Sequence, residues 1–121
     1  MKKILIAGAL SMALAVLLGA FGAHALKTIL TPQMLTIYHT GVDYQFYHSI
    51  GLLIVGLTGY HLPSKWLNWA GTLLIAGIIL FSGSLYLISL SGVKGIGMIT
   101  PIGGLSFVAG WICLAIGLWK R

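Results

Sequence analysis

Residues 66–90 read WLNWAGTLLIAGIILFSGSLYLISL, 25 positions without a charged side chain. A helix needs ~20 apolar residues to cross the hydrocarbon core of a bilayer, so this stretch reads as a transmembrane helix. Three further apolar runs accompany it at 4–23, 46–60 and 96–119, each long enough to cross or nearly so. Together they fill most of a 121-residue chain that is 59% hydrophobic and 7% charged, with a mean hydropathy of +1.04. That composition leaves too little polar surface to coat a water-soluble globule. The expected fold is an all-α membrane protein. One domain, 1–121, holds four transmembrane helices in an antiparallel bundle, with spans at about 4–25, 42–61, 66–90 and 96–119.

Charge sets the expected topology. The basic residues are Lys2, Lys3, Lys27, Lys65, Lys94, Lys120 and Arg121. Four spans with both ends on one side give that side Lys2, Lys3, Lys65, Lys120 and Arg121, and leave Lys27 and Lys94 opposite. The positive-inside bias then places both termini in the cytoplasm, in a bacterial inner membrane. The net charge of +6 reads as an orientation signal and a contact with anionic lipid headgroups. A nucleic-acid partner would need a clustered basic face, and none is present. Lys2-Lys3 and Ala23-His24-Ala25 also imitate a secretory signal with its A-x-A site. The first apolar run is long for a signal core, so an uncleaved helix is expected.

Small residues supply the expected packing seams. Ala7, Ser11, Ala15, Gly19 and Ala23 recur every four positions in the first span. Ala70, Gly77, Ser84 and Ser91 recur every seven in the third, and Gly103, Gly110 and Gly117 every seven in the fourth. Lipid gives helices little hydrophobic reason to associate, so close approach along such seams supplies much of the attraction. A seven-residue repeat favours long left-handed contacts between antiparallel neighbours. Any ridge left over is available to a partner or another copy. Trp66, Trp69, Trp111, Trp119 and Tyr60 read as interfacial anchors.

The second span is the irregular one. Its purely apolar part is short, and Thr31-Pro32 offers an N-cap followed by proline at the first helical position. A helix from Pro32 to His61 would run roughly 45 Å, longer than the hydrocarbon core. A break near Gly41 is therefore expected, with 32–40 forming a short interfacial helix. Pro63-Ser64 marks the turn into the third span.

Polar side chains gather on the outer side. His24 closes the first span, while His39, Asp43, Tyr44, Gln45, Tyr47 and His48 open the second. Ser82, Ser84 and Tyr86 lie in the outer half of the third, and Thr100 and Pro101 enter the fourth. Polar groups in a membrane are costly unless paired or wetted, so one-sided clustering points to a shared pocket. Helical spacing sets His39, Asp43 and Tyr47 on one face, and Tyr44, His48 and Gln45 on another. Asp43 is the only acidic residue, with His39, His24 and Lys27 as candidate partners. The competing reading is structural: solvated interface residues, and an acid that fixes the packing of two helices. No spacing demands catalysis.

No cofactor or metal is called for. A haem held by His24 and His48 is the alternative, since histidines on neighbouring helices can serve as axial ligands. Tight small-residue seams oppose the widened bundle that a macrocycle needs. Cys113 stands alone, which excludes an internal disulfide and gives zinc no support.

Several short motifs occur in order: Gly19-Ala20-Phe21-Gly22-Ala23-His24, Tyr44-Gln45 with His48, Phe81-Ser82-Gly83-Ser84-Leu85-Tyr86, and Thr100-Pro101 with Gly103-Gly104. In series they resemble the domain-of-unknown-function 423 family of small bacterial YwdK/YgdD-like membrane proteins, related to eukaryotic transmembrane protein 256. The resemblance covers nearly the whole chain and implies a small multi-pass inner-membrane protein, without implying an activity. The expected role is a non-enzymatic homo-oligomeric or accessory subunit with an exoplasmic polar pocket. The alternatives are a small-solute or proton transporter or channel with Asp43 and His48 on its path, and a haem- or quinone-binding redox protein.

Overall fold

Where no water reaches the backbone, an apolar run closes its hydrogen bonds along itself, and helix is the form that allows this. The computed structural model describes residues 1–121 and is helical nearly throughout. Helix α1 is Lys2–His24, α2 is Pro32–His61 and α3 is Lys65–Gly77. A π-helical turn at Ile78–Ser82 carries α3 on into α4, Gly83–Ser91, and α5 is Thr100–Trp119. Short 3₁₀ turns, Leu26–Thr28 and Lys94–Met98, connect α1 to α2 and α4 to α5. Lys2–His24, Lys65–Ser91 and Lys94–Trp119 are each long and apolar enough to cross a membrane.

Local chemistry sets the boundaries. The Thr31 hydroxyl accepts from the Met34 amide at 3.2 Å and Pro32 opens α2, as the sequence predicts. Ser64 caps α3 through the Trp66 amide at 3.1 Å. Gly92 ends α4 at φ 75°, a left-handed position that only glycine takes without strain. The fourth span opens later than expected as an α-helix, because Gly95 and Gly97 leave the preceding turn in 3₁₀ form and Pro101 starts a helix well.

The break expected near Gly41 is absent, and no separate interfacial helix forms before the second span. α2 runs unbroken for 30 residues. Its first turns are clamped from both sides. Tyr38 donates to the Leu18 carbonyl of α1 at 2.5 Å, and Ser82 donates to the Gly41 carbonyl at 2.7 Å. Gly41 lies directly beneath the Tyr86 ring, where a Cβ would come within 2.9 Å of it. These contacts hold α2 helical through Gly41.

Antiparallel registers organise the bundle. Gly59 meets Met1, Leu52 meets Gly8 and Tyr38 meets Gly22, so each large residue on one helix fills the gap left by a glycine on the other. On the opposite side Leu67 meets Gly117, Leu74 meets Gly110 and Phe107 meets Gly77. α2 joins the two pairs, through Gly41 against Tyr86 and Gly51 against Leu74 and Trp111. The main apolar core, Leu52, Val55, Leu67, Ala70, Leu74, Phe107 and Leu114, sits between α2, α3 and α5.

The four-residue ridge expected on α1 is only partly the seam. Ala15 is fully buried and Ser11 half-buried, but Ala23 is exposed. A step of four precesses by about 40° at 3.6 residues per turn, so the ridge winds off the contact face. The buried small residues are instead Gly8, Ala15 and Gly22, seven apart. Ala15→Leu is expected to cost about 1–3 kcal/mol by overpacking, while Ala23→Leu stays near neutral. Thermal unfolding of both variants in detergent micelles checks this; equal effects would restore the four-residue ridge. Gly103, Gly110 and Gly117 are all buried, whereas Ser91 at the end of the third-span repeat is exposed.

Candidate functional site

α2 carries most of the polar side chains, and its neighbours absorb the inward-facing ones. Tyr86 donates to Gln45 Oε1 at 2.6 Å, and Gln45 Nε2 donates to the Ser11 carbonyl at 2.9 Å. Ser49 donates to the Gln45 carbonyl at 2.6 Å, and the Ser11 and Ser49 hydroxyls lie 2.7 Å apart. One chain of hydrogen bonds thus links α4, α2 and α1. A second ties α4 to α5: the Ser84 and Thr100 hydroxyls are 2.6 Å apart, and Ser84 also donates to the Phe81 carbonyl at 2.8 Å. Ser106 donates to the Leu73 carbonyl at 2.7 Å, which ties α5 to α3. Every buried side-chain nitrogen and oxygen has a partner.

The π turn positions part of this layer. It brings the Ser82 hydroxyl onto α2, and it carries the Leu80–Phe81 backbone against Gly103. Single π turns inside α-helices occur frequently at functional sites. Here the turn touches both α2, at Gly41, and α5, at Gly103.

His48 is buried but belongs to a different group. Its ring stacks on Phe107, with centroids 3.5 Å apart and planes 9° apart, and Trp111 sits 5.8 Å away. Nδ1 lies 2.7 Å from the Tyr44 carbonyl. A carbonyl can only accept, so Nδ1 carries the proton and Nε2 is left as an acceptor. Tyr44 packs on Phe81 at 4.6 Å and lies beside the His48 ring at 6.0 Å.

The expected site residues therefore separate into three sets. Gln45, Ser82, Ser84, Tyr86 and Thr100 join the interhelical layer. His48 and Tyr44 join the aromatic cluster against α5. Asp43 is exposed on the outer face of α2, His39 is half-buried edge-on to Tyr38, and His24 is exposed at the end of α1. His24 and His48 are not brought together. Gly22, two residues before His24, packs at the level of Tyr38, and His48 lies ~15 Å further along α2 at 1.5 Å per residue. His48 also faces α5 rather than α1, so this pair does not fit the two axial positions of a haem.

Ser49 and Tyr38 escaped the sequence reading, and Ser11 entered it only as a small packing residue. Spacing could have found the first two. Tyr38, Gln45, Leu52 and Gly59 are seven apart on α2, and Ser49 follows Gln45 by one helical turn.

A polar layer locked inside a helical bundle, three of whose helices are long and apolar enough to cross a membrane, defines the class: a small, all-helical, multi-pass membrane protein. The family described as "Protein of unknown function (DUF423)" matches residues 18–104, and the chain belongs to that family. It is 45% identical over 120 residues to a UPF0382 membrane protein of Staphylococcus haemolyticus, covering 99% of this chain and 98% of the relative. A Staphylococcus saprophyticus UPF0382 membrane protein is 46% identical over 120 residues, covering 99% of each. The UPF0382 membrane protein YwdK of Bacillus subtilis is 43% identical over 121 residues, covering 99% of this chain and 98% of the relative. These relatives are named as membrane proteins, without an enzymatic activity. No solved structure matches the chain.

Proposed function

We propose that the chain is a non-enzymatic subunit of the bacterial inner membrane, a four-span bundle with both termini cytoplasmic, working as a homo-oligomer or within a larger membrane complex. The observation that carries this reading is the internal spending of the polar layer. The Tyr86–Gln45–Ser11–Ser49 and Ser84–Thr100 hydrogen bonds connect helices to one another, so those groups act as locks. α2 joins the other helices as a span because it is sandwiched between α1 and α3–α4 along its length. The cations agree in sense: Lys2, Lys3, Lys65, Lys120 and Arg121 gather at the end where Met1 meets Gly59 and Gly117 meets Leu67.

α1 is the least enclosed helix. Only 11% of its apolar window is buried, against 33% and 28% for the other two candidate spans, so it is the helix with most surface for assembly. Ile6, Leu10, Leu14, Leu17 and Phe21 form an exposed ridge along it. Native mass spectrometry of the protein gently extracted from its own membrane tests the proposal. A multiple of the chain mass, or a stoichiometric complex with a second protein, is expected. A single chain alone, under conditions that preserve known membrane oligomers, would overturn it.

A further inference from the structure

The bundle end that holds both termini has an amphipathic groove that the polar layer does not use. Trp66 at the start of α3 and Trp119 at the end of α5 flank an apolar slot of about 470 Å³, floored by Ile112, Ala115 and Ile116 and closed by Lys120. A polar depression of about 430 Å³ adjoins it, lined by His61, Ser64, Lys120 and Arg121 among others. Lys120 belongs to both. Its ammonium lies 5.3 Å over the Trp66 ring, with that of Lys65 5.7 Å from the same ring. Cation–π contact holds both charges at the level of the indole, and indoles favour the boundary between acyl chains and headgroups.

Charge complementarity identifies the occupant. Lys2, Lys3, Lys65, Lys120 and Arg121 share this end, while the sole acidic side chain, Asp43, lies roughly 27 Å along α2 from His61. Cations with no acidic side chain near them, bordering an apolar slot open to the acyl region, match a molecule with a phosphate at one end and a hydrocarbon chain at the other. We propose that this groove is a binding site for an anionic phospholipid. An acyl chain lies between Trp66 and Trp119 along Ile112 and Ile116, and the headgroup phosphate sits at Lys120 and Arg121. The inference needs only α3–α4 and α5 to span the membrane, since the slot lies between α3 and α5.

The test reconstitutes the full chain in bilayers of equal parts phosphatidylglycerol and phosphatidylcholine, and counts retained lipid by native mass spectrometry. Preferential phosphatidylglycerol adducts are expected. Lys120→Gln with Arg121→Gln should weaken their retention on the order of 30-fold, at ~5-fold per cation near an anionic surface. Both residues follow the last residue of α5, so the fold is not at risk. Lys2→Gln with Lys3→Gln removes the same charge from the same end without touching the groove, and is expected to retain the adduct. Trp119→Ala, at an exposed position, should weaken retention of both lipids. Equal retention of the two lipids would overturn the proposal. So would equal losses in the two double variants, which would mean diffuse attraction. Displacement of the adduct by millimolar glycerol phosphate would also overturn it, since the site would then serve a free phosphate.

Discussion

Gly103→Ala should cost about 3 kcal/mol of bundle stability, at the upper end of what overpacking usually costs. A Cβ at Gly103 would lie 2.4 Å from the Phe81 amide nitrogen and 2.8 Å from the Leu80 carbonyl carbon. Those atoms are backbone, and they belong to the π turn, so no rotamer change relieves the clash. α5 must move away from α3–α4 instead. Thr100 lies one turn earlier on the same helix, so the shift should also stretch the 2.6 Å Ser84–Thr100 contact. Two neighbouring glycines serve as controls. A Cβ at Gly104 meets only the Phe81 ring at 3.8 Å, and one at Gly83 meets nothing within 4 Å. Alanine at either is expected to be neutral or slightly stabilising, because glycine is ~1 kcal/mol the poorer helix former. Thermal unfolding in micelles followed by circular dichroism ranks the three. If Gly103→Ala melted with the controls, the close approach of α5 to the π turn would be wrong.

The second large effect belongs to Gln45. It is 2% exposed and connects two helices, accepting from Tyr86 and donating to the Ser11 carbonyl. Gln45→Leu keeps much of the volume and removes both bonds. The Tyr86 hydroxyl then has no acceptor, and the expected loss is about 2 kcal/mol. Interhelical hydrogen bonds within bilayers average less, ~0.6 kcal/mol with a maximum of ~1.7. The orphaned hydroxyl, rather than the lost bond, makes up the remainder. A double-mutant cycle separates the two. Tyr86→Phe should destabilise the natural chain but leave Gln45→Leu unchanged or slightly rescued, giving a coupling of about 1–2 kcal/mol. Strictly additive effects would show that the two side chains do not interact, and the lock would lose its central bond.

Both predictions fall on residues that the sequence made visible for other reasons. Gly103 appeared as a member of a seven-residue small stripe, with no sign that its neighbour is backbone. Gln45 appeared beside Tyr44 and His48 as part of a pocket, yet hydrogen bonds to α1 and α4 occupy it. The sequence pattern placed polar residues at one end of the bundle. It could not show whether they face a ligand or one another, because helical phase gives a direction and not a partner.

What the sequence determined by itself is the solvent and the all-helical class. A chain with 59% hydrophobic residues and 7% charged ones must live in lipid, and lipid leaves the backbone no partner but itself. The cap at Thr31-Pro32, the turn at Pro63-Ser64, the gathering of cations at one end and the seven-residue glycine stripe of α5 follow from local chemistry and were legible. Tertiary structure alone decided the rest. The continuity of α2 through Gly41 depends on Tyr38 and Ser82 holding it from both sides. The true seam of α1 is Gly8–Ala15–Gly22 because a seven-residue step drifts only ~20° along a straight helix, against ~40° for each step of four. The π turn at Ile78–Ser82 packs on Gly41 of α2 and Gly103 of α5, partners that lie far off in sequence. Hydropathy names three of the helices, passing over the more polar α2, but it does not name their packing faces. Those are set by where a glycine on one helix leaves room for a large side chain, or a backbone, on the next.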